Sequence, residues 1–332
     1  MKVLIIKPDH LGDFALALPA LWEAQSFLGS PDNLHVIVWQ PNAEWKKILP
    51  WLPNLHPVQH PKYERTTRGI DVARSVWDGI KAASGLSVHG FDWGVEMTSS
   101  AHDQHGKIWM RAAGCRCSRG LNDKFRFLLN EKTSQGEGHQ ILRMAMRFPE
   151  QWGISGKTPP QVFMPHKYRW SQESLSDPVL LAPWAGTTAK QWPLERWAEL
   201  LRVLHKQGRT ARLLVTEDTR VQGERLAKMA SADAGVLLHS SSIGETLSHL
   251  KNSALVVATD TGVAHFAWLV GTPLVQLFSG TADPARWGAI GASAILHHPP
   301  SCAVCRLESC PRPAHDCMLA ITVDEVLGAI QR

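Results

Sequence analysis

Several protein classes are set aside by what this chain lacks. No apolar run approaches the length needed to cross a bilayer. The opening run "VLII" is broken at Lys7 and Asp9, so it does not read as a secretory signal. Charge of one sign is also lacking: 35 Lys and Arg against 30 Asp and Glu leave a net +5. That mild excess suits anionic substrates and argues against nucleic acid. The Walker spacing G-x-x-x-x-G-K-[ST] is missing, and no tandem repeat is visible. The expectation is a cytoplasmic protein whose six cysteines stay reduced unless a metal holds them.

What is present is alternation. With 332 residues, two domains are the default. "KVLIIK" (2–7) is rich in β-branched residues, as a buried parallel strand requires, and a helical pattern follows over 13–28 with Pro19 in its early turns. "LHVIVWQ" and "FDWGVEM" read as further strands, with helices between and after them. Prolines crowd 149–178, which marks the join. Beyond it, "PVLLAPWAG", "ARLLVT", "ALVVATD" and "PLVQLF" repeat the strand–helix rhythm. The chain divides into a domain over 1–160, a linker over 161–178 and a domain over 179–332. Each is expected to be a Rossmann-like, doubly wound parallel sheet, and the two face a central cleft. Ligands of such sheets bind beyond the carboxyl ends of the strands, so residues just after strands matter most. The 14 Trp are expected mainly in cores.

Three strand-to-helix junctions carry candidate chemistry. In "IIKPDHLGDFALALPALW", Asp13 sits where the first strand hands over to a helix. An acid there ordinarily just complements the helix dipole; an exposed one could also serve as a general base. In "APWAGTTAKQWPLERW", Gly186, Thr187, Thr188 and Lys190 form a small-residue loop with a mobile cation, suited to a phosphate or simply to solvent. In "VVATDTGVAHFAWLVGTP", Asp260, Thr261, Gly262 and Val263 open a helix whose free N–H groups suit a diphosphate, while His265 reads as structural. Taken together, an anion site in one half and a carboxylate in the other fit group transfer from a nucleotide diphosphate to a hydroxyl. Lys190 and backbone dipoles can stabilise the departing charge, so no catalytic metal is needed.

The segment "CAVCRLESCPRPAHDCM" gives Cys302, Cys305, Cys310 and Cys317, with His315 alongside. Four cysteines in so short a span of a reduced protein suggest a structural Zn or Fe site; the later spacings leave unliganded thiols or a disulfide open. A closed four-ligand site has no catalytic role.

"KVLIIKPDHLGDFALALPAL", "TTAKQWPLERWAEL" and "TDTGVAHFAWLVGTPLVQLFSGTADPARWG" resemble glycosyltransferase family 9, the heptosyltransferases and their relatives. The resemblance implies a GT-B fold, an inverting mechanism and a nucleotide-diphosphate sugar donor, most often ADP-heptose. By motif position, Asp13 would be the base and Lys190 would meet the donor phosphates beside Thr187 and Thr188. Asp260 would touch the sugar, with Thr261, Gly262 and Val263 as the diphosphate turn, and Glu224 would reach the ribose. Arg65, Arg68 and Arg119, with Ser99 and Ser100, are the acceptor candidates. The implied acceptor is an anionic glycolipid, with a protein or small-molecule hydroxyl still open. Peripheral contact with the inner membrane, homo-oligomers and a metal at such cysteine clusters belong to the same implication. A sugar-nucleotide epimerase of the same fold, and a non-catalytic sugar-nucleotide binder or assembly subunit, are the alternatives.

Overall fold

The computed structural model describes residues 1–59, 69–98, 105–123, 125–134, 136–171, 178–312 and 315–331. The chain forms two compact units, Met1–Phe163 and Met164–Arg332. Among the described residues, each carries a six-stranded sheet in which every pairing is parallel.

In the first unit the strands are β1 (Val3–Lys7), β2 (Leu34–Trp39), β3 (Leu55–Val58), β4 (Trp93–Glu96), β5 (Cys117–Leu121) and β6 (Glu131–Thr133). They lie in the order β3-β2-β1-β4-β5-β6. The second unit has β7 (Val179–Ala182), β8 (Ala211–Val215), β9 (Leu237–His239), β10 (Leu255–Thr259), β11 (Leu274–Phe278) and β12 (Ala294–His297). Read from its other edge, that sheet runs β9-β8-β7-β10-β11-β12, the same 3-2-1-4-5-6 order. This is the doubly wound dinucleotide-fold order, whose switch point lies between its first and fourth strands. The switch points here are β1/β4 and β7/β10.

Central strands form where the sequence is continuously apolar, because helices cover both faces. Every residue of β1, β7 and β10 is buried. The helix Leu11–Leu28 starts two residues earlier than the pattern suggests, carries Pro19 inside, and ends at Gly29, whose φ of 72° closes it in the left-handed region. In the second unit the helix Leu194–Lys206 buries Trp197, Leu200, Leu201 and Leu204, a 3.6-residue stripe. Trp45, Trp109, Trp192 and Trp197 are fully buried, as a core role requires, whereas Trp77 is 57% exposed. The proline-rich join contains the short helix Pro160–Phe163 and the turn His166–Tyr168. The Phe163 carbonyl accepts from Trp51 Nε1 at 3.0 Å in the first unit, and Trp170 N–H donates to Val270 O at 2.7 Å in the second. Among the described residues no helix is long and apolar enough to cross a membrane.

Candidate functional site

At the β7/β10 switch point the register pairs Ala258 with Ala182. β7 stops there, while β10 runs one residue further before Asp260. The two following loops therefore leave the sheet side by side. Lys190 ends the turn Thr188–Lys190, and its Nζ lies 2.7 Å from Asp260 Oδ2. The lysine side chain is 31% exposed and the aspartate 6%. Thr261 caps the helix Gly262–Val270 in extended conformation, but its side chain makes no capping hydrogen bond. The first N–H groups of that helix keep their donors, at the positive end of its dipole. Thr187 sits at the head of the Lys190 turn, and its buried Oγ1 has no hydrogen-bond partner. Thr188 Oγ1 donates to Glu308 O at 3.2 Å. A cation, a lone hydroxyl and an uncapped helix start thus gather around a carboxylate. Chemically, such a set is able to receive an anion such as a phosphate.

Glu224 stands on a different element. It lies in the second turn of the helix Arg220–Met229, bonded to Arg220 Nη1 at 2.7 Å and 47% exposed. Glu217, which the sequence reading passed over, opens the turn directly after β8, with its side chain 85% exposed. The signal that could have found it is position: it is the first acid beyond the carboxyl end of the strand beside β7.

In the first unit, Asp13 is the third residue of its helix and is half-buried. The loop that delivers it is anchored from below. Lys7, fully buried at the end of β1, bonds Asp9 Oδ2 at 2.8 Å, and Asn42 Nδ2 donates to Asp9 O at 2.7 Å. Across the switch point, Glu96 ends β4, with Lys107 Nζ 3.5 Å away and also bonded to Asp123. Burial pushes the Glu96 carboxyl up to about 7, against the opposing pull of Lys107.

The model of glycosyltransferase family 9 (heptosyltransferase) matches residues 108–314. Lipopolysaccharide heptosyltransferase 1 of Pseudomonas aeruginosa is 30% identical over 346 residues, covering 93% of this chain and 87% of the relative. The chain belongs to glycosyltransferase family 9. It is accordingly a glycosyltransferase of the heptosyltransferase type. Its GT-B fold is shared with E. coli heptosyltransferase WaaC solved with ADP-2-deoxy-2-fluoro heptose: TM-score 0.70, 18% identity, 100% of this chain and 99% of that one. It is also similar to the iron-containing dodecameric glycosyltransferase TibC of enterotoxigenic E. coli H10407, with TM-score 0.57 and 14% identity over 99% of this chain and 75% of that one.

The acceptor candidates of this glycosyltransferase divide in two. Arg65, Arg68, Ser99 and Ser100 lie outside the described residues. Arg119 stands on β5, where its guanidinium donates to Glu131 and, at 3.0 Å, to Arg147 O. Both bonds hold neighbouring segments of its own unit together.

Cys302, Cys305, Cys310 and Cys317 line one pocket with His315 and Ala189, with an empty volume of about 320 Å³ that includes open solvent. All six cysteines are free thiols. Among the described residues, no group of three or more His, Cys, Asp or Glu side chains is disposed to hold a metal ion. The four thiols share one wall of that pocket. Burial raises the Cys317 thiol above its ordinary range and pushes Cys115 up to about 12, so neither is an activated nucleophile.

Proposed function

We propose that this family 9 enzyme transfers a heptose-type sugar from a nucleotide-diphosphate donor, ADP-heptose, to an acceptor hydroxyl with inversion at the anomeric carbon. The observation that carries the reading is the Lys190–Asp260 pair beside the uncapped start of the Gly262–Val270 helix. A diphosphate arriving there gains the Gly262 and Val263 N–H groups and the Thr261 and Thr187 hydroxyls. It also competes with Asp260 for the Lys190 ammonium. Asp260, relieved of the lysine, accepts from a sugar hydroxyl, and Glu217 is better placed than Glu224 for the ribose. Asp13 takes the proton of the acceptor hydroxyl. The acceptor oxygen forms the new bond to the anomeric carbon as the carbon–oxygen bond to phosphate breaks on the opposite face. The electron pair leaves with ADP, where Lys190 and the helix start neutralise it. The acceptor is a lipopolysaccharide-core hydroxyl; the relative in Pseudomonas aeruginosa is named lipopolysaccharide heptosyltransferase 1.

A structural Zn or Fe ion at Cys302, Cys305, Cys310 and Cys317 is a separate part of the proposal. Convergence of the four thiols on one pocket supports it, and metal analysis of the purified chain tests it. Self-association and contact with an inner-membrane surface are proposed on the same footing.

The test is incubation with ADP-heptose, with and without a lipopolysaccharide-core acceptor. Products are weighed by mass spectrometry, and the new anomeric centre is read by NMR. Acceptor-dependent ADP release with inverted configuration is the expected result. Donor conversion without acceptor would mark an epimerase, and binding without turnover would mark an idle binder; either overturns the reading.

A further inference from the structure

The turn that presents Lys190 is three residues long and is closed by two bonds of its own, Lys190 N–H to Thr187 O at 3.2 Å and Gln191 N–H to Thr188 O at 3.1 Å. Its backbone is gripped by the cysteine-rich segment, more than a hundred residues later in the chain. The Glu308 carbonyl accepts the Ala189 N–H at 3.0 Å and the Thr188 hydroxyl at 3.2 Å. His315 Nε2 lies 2.9 Å from the Ala189 carbonyl oxygen. A carbonyl can only accept, so Nε2 carries the proton and donates. Both backbone groups of Ala189 are thus held by the segment, and Ala189 forms part of the thiol pocket wall. The segment is itself tied to the residues following β11, where Cys305 N–H donates to Gly280 O at 3.1 Å and Arg306 N–H to Thr281 O at 3.0 Å.

We propose that the cysteine-rich segment is a positioning element for donor binding, with His315 as the positioning residue that sets how Lys190 meets the diphosphate. This rests on the nucleotide-diphosphate reading above. His315 touches neither substrate nor reacting atoms in this assignment. It acts by fixing the peptide that precedes Lys190. A residue that merely filled the surface would affect melting temperature and leave no signature specific to the second phosphate.

Calorimetric titration of ADP and AMP into wild type, His315→Ala and His315→Gln reads that signature, with peptide-level hydrogen exchange over residues 185–192. Losing one hydrogen bond that orders a charged contact is worth about tenfold in affinity. His315→Ala is expected to weaken ADP by about tenfold, change AMP by less than about twofold, and speed exchange at Ala189. The Gln variant, whose amide can donate as Nε2 does, restores ADP affinity. Equal loss for ADP and AMP, or a Gln variant no better than Ala, overturns the proposal. Should the Ala variant fail to fold, wild type alone decides. By reciprocity, ADP must slow exchange across residues 302–317, and an unchanged segment overturns the proposal. A wild type that binds no ADP instead overturns the nucleotide reading and the proposal with it.

Discussion

The two units share one strand order and use opposite versions of the same ion pair at its switch point. In the first, Lys7 is the last residue of β1 and is fully buried against Asp9, itself 3% exposed. In the second, β7 ends on Ala182 and the cation is deferred to Lys190, on a turn that leaves it 31% exposed against Asp260. Two charges taken wholly out of water are held together by the desolvation that either would suffer alone. In the second pair the carboxylate is buried too, but the ammonium reaches solvent and so can turn to another anion more readily than Lys7 can. The buried pair therefore serves as an anchor for the loop bearing Asp13. On the proposed function, the partly exposed pair is the contact that an incoming phosphate would take over. One architecture thus supplies a fixed acid in one half and an exchangeable cation in the other.

Substitutions can break or sharpen this contrast. The largest effect is expected at Asp13: Asp13→Ala should lower turnover by ~10²–10⁴ while ADP affinity by calorimetry stays put. Affinity falling in step with turnover would remove its role as the base. Next comes the anchor. Lys7→Met should cost roughly 3–5 kcal/mol in urea unfolding, because it strands a buried Asp9. Lys190→Met should cost less on the same curve, because only Lys7 is itself wholly buried while Lys190 is partly solvated, and two equal losses would erase the distinction between the pairs. Glu96 gives a pH-dependent version of burial. Its folded-state pKa of about 7 stands above the ordinary 4.5, so the folded chain holds the proton more tightly. Stability is then full below 4.5 and is lost as pH rises towards 7. Glu96→Gln removes that loss, so the variant should gain on wild type by about 2–3 kcal/mol between pH 5 and pH 8. A flat difference across that range would show the carboxyl to be ionised throughout. At the exchangeable pair, Lys190→Ala should weaken ADP by roughly 10- to 100-fold, the scale of a charged hydrogen bond. The smallest effect belongs to Glu224→Ala, with ADP affinity within about twofold of wild type, since its surface ion pair is worth ~0.3–0.5 kcal/mol. A loss there comparable with Lys190→Ala would restore Glu224 as the ribose contact.

What could be read from the sequence follows the same division between burial and exposure. β1, β2, β4, β7, β8, β10 and β11 were legible because buried parallel strands are predominantly apolar. The missed strands β3, β6, β9 and β12 lie at the sheet edges, and β5 lies beside one. They are short and carry residues such as His56, Lys132 and His239, which nothing in a period-two pattern distinguishes from loop. Lys190, Asp260 and Thr261 could be picked out because the fold delivers whatever follows a central strand to one place. The sequence offers Glu224 as an acid in a helix that follows a strand, whereas Glu217, nearer the strand end, is marked by no motif. Lys7 and Lys107 could not be placed, since a lysine in sequence reads as surface until its buried partner is known. The grip of Glu308 and His315 on the Lys190 turn was equally hidden. It joins residues about 120 positions apart, through the Glu308 carbonyl that any residue would provide and through a His315 side chain that the sequence gives no reason to place there.

Ala189 has one further consequence. Its methyl group fills a 2% exposed place in the wall of the thiol pocket, with both flanking peptide groups already engaged. A bulkier residue there would have to grow into the space bordered by the cysteines or push the turn outward. One position thus lets drift in the sequence narrow that space, or shift the turn that carries Lys190, with no thiol or charged residue altered.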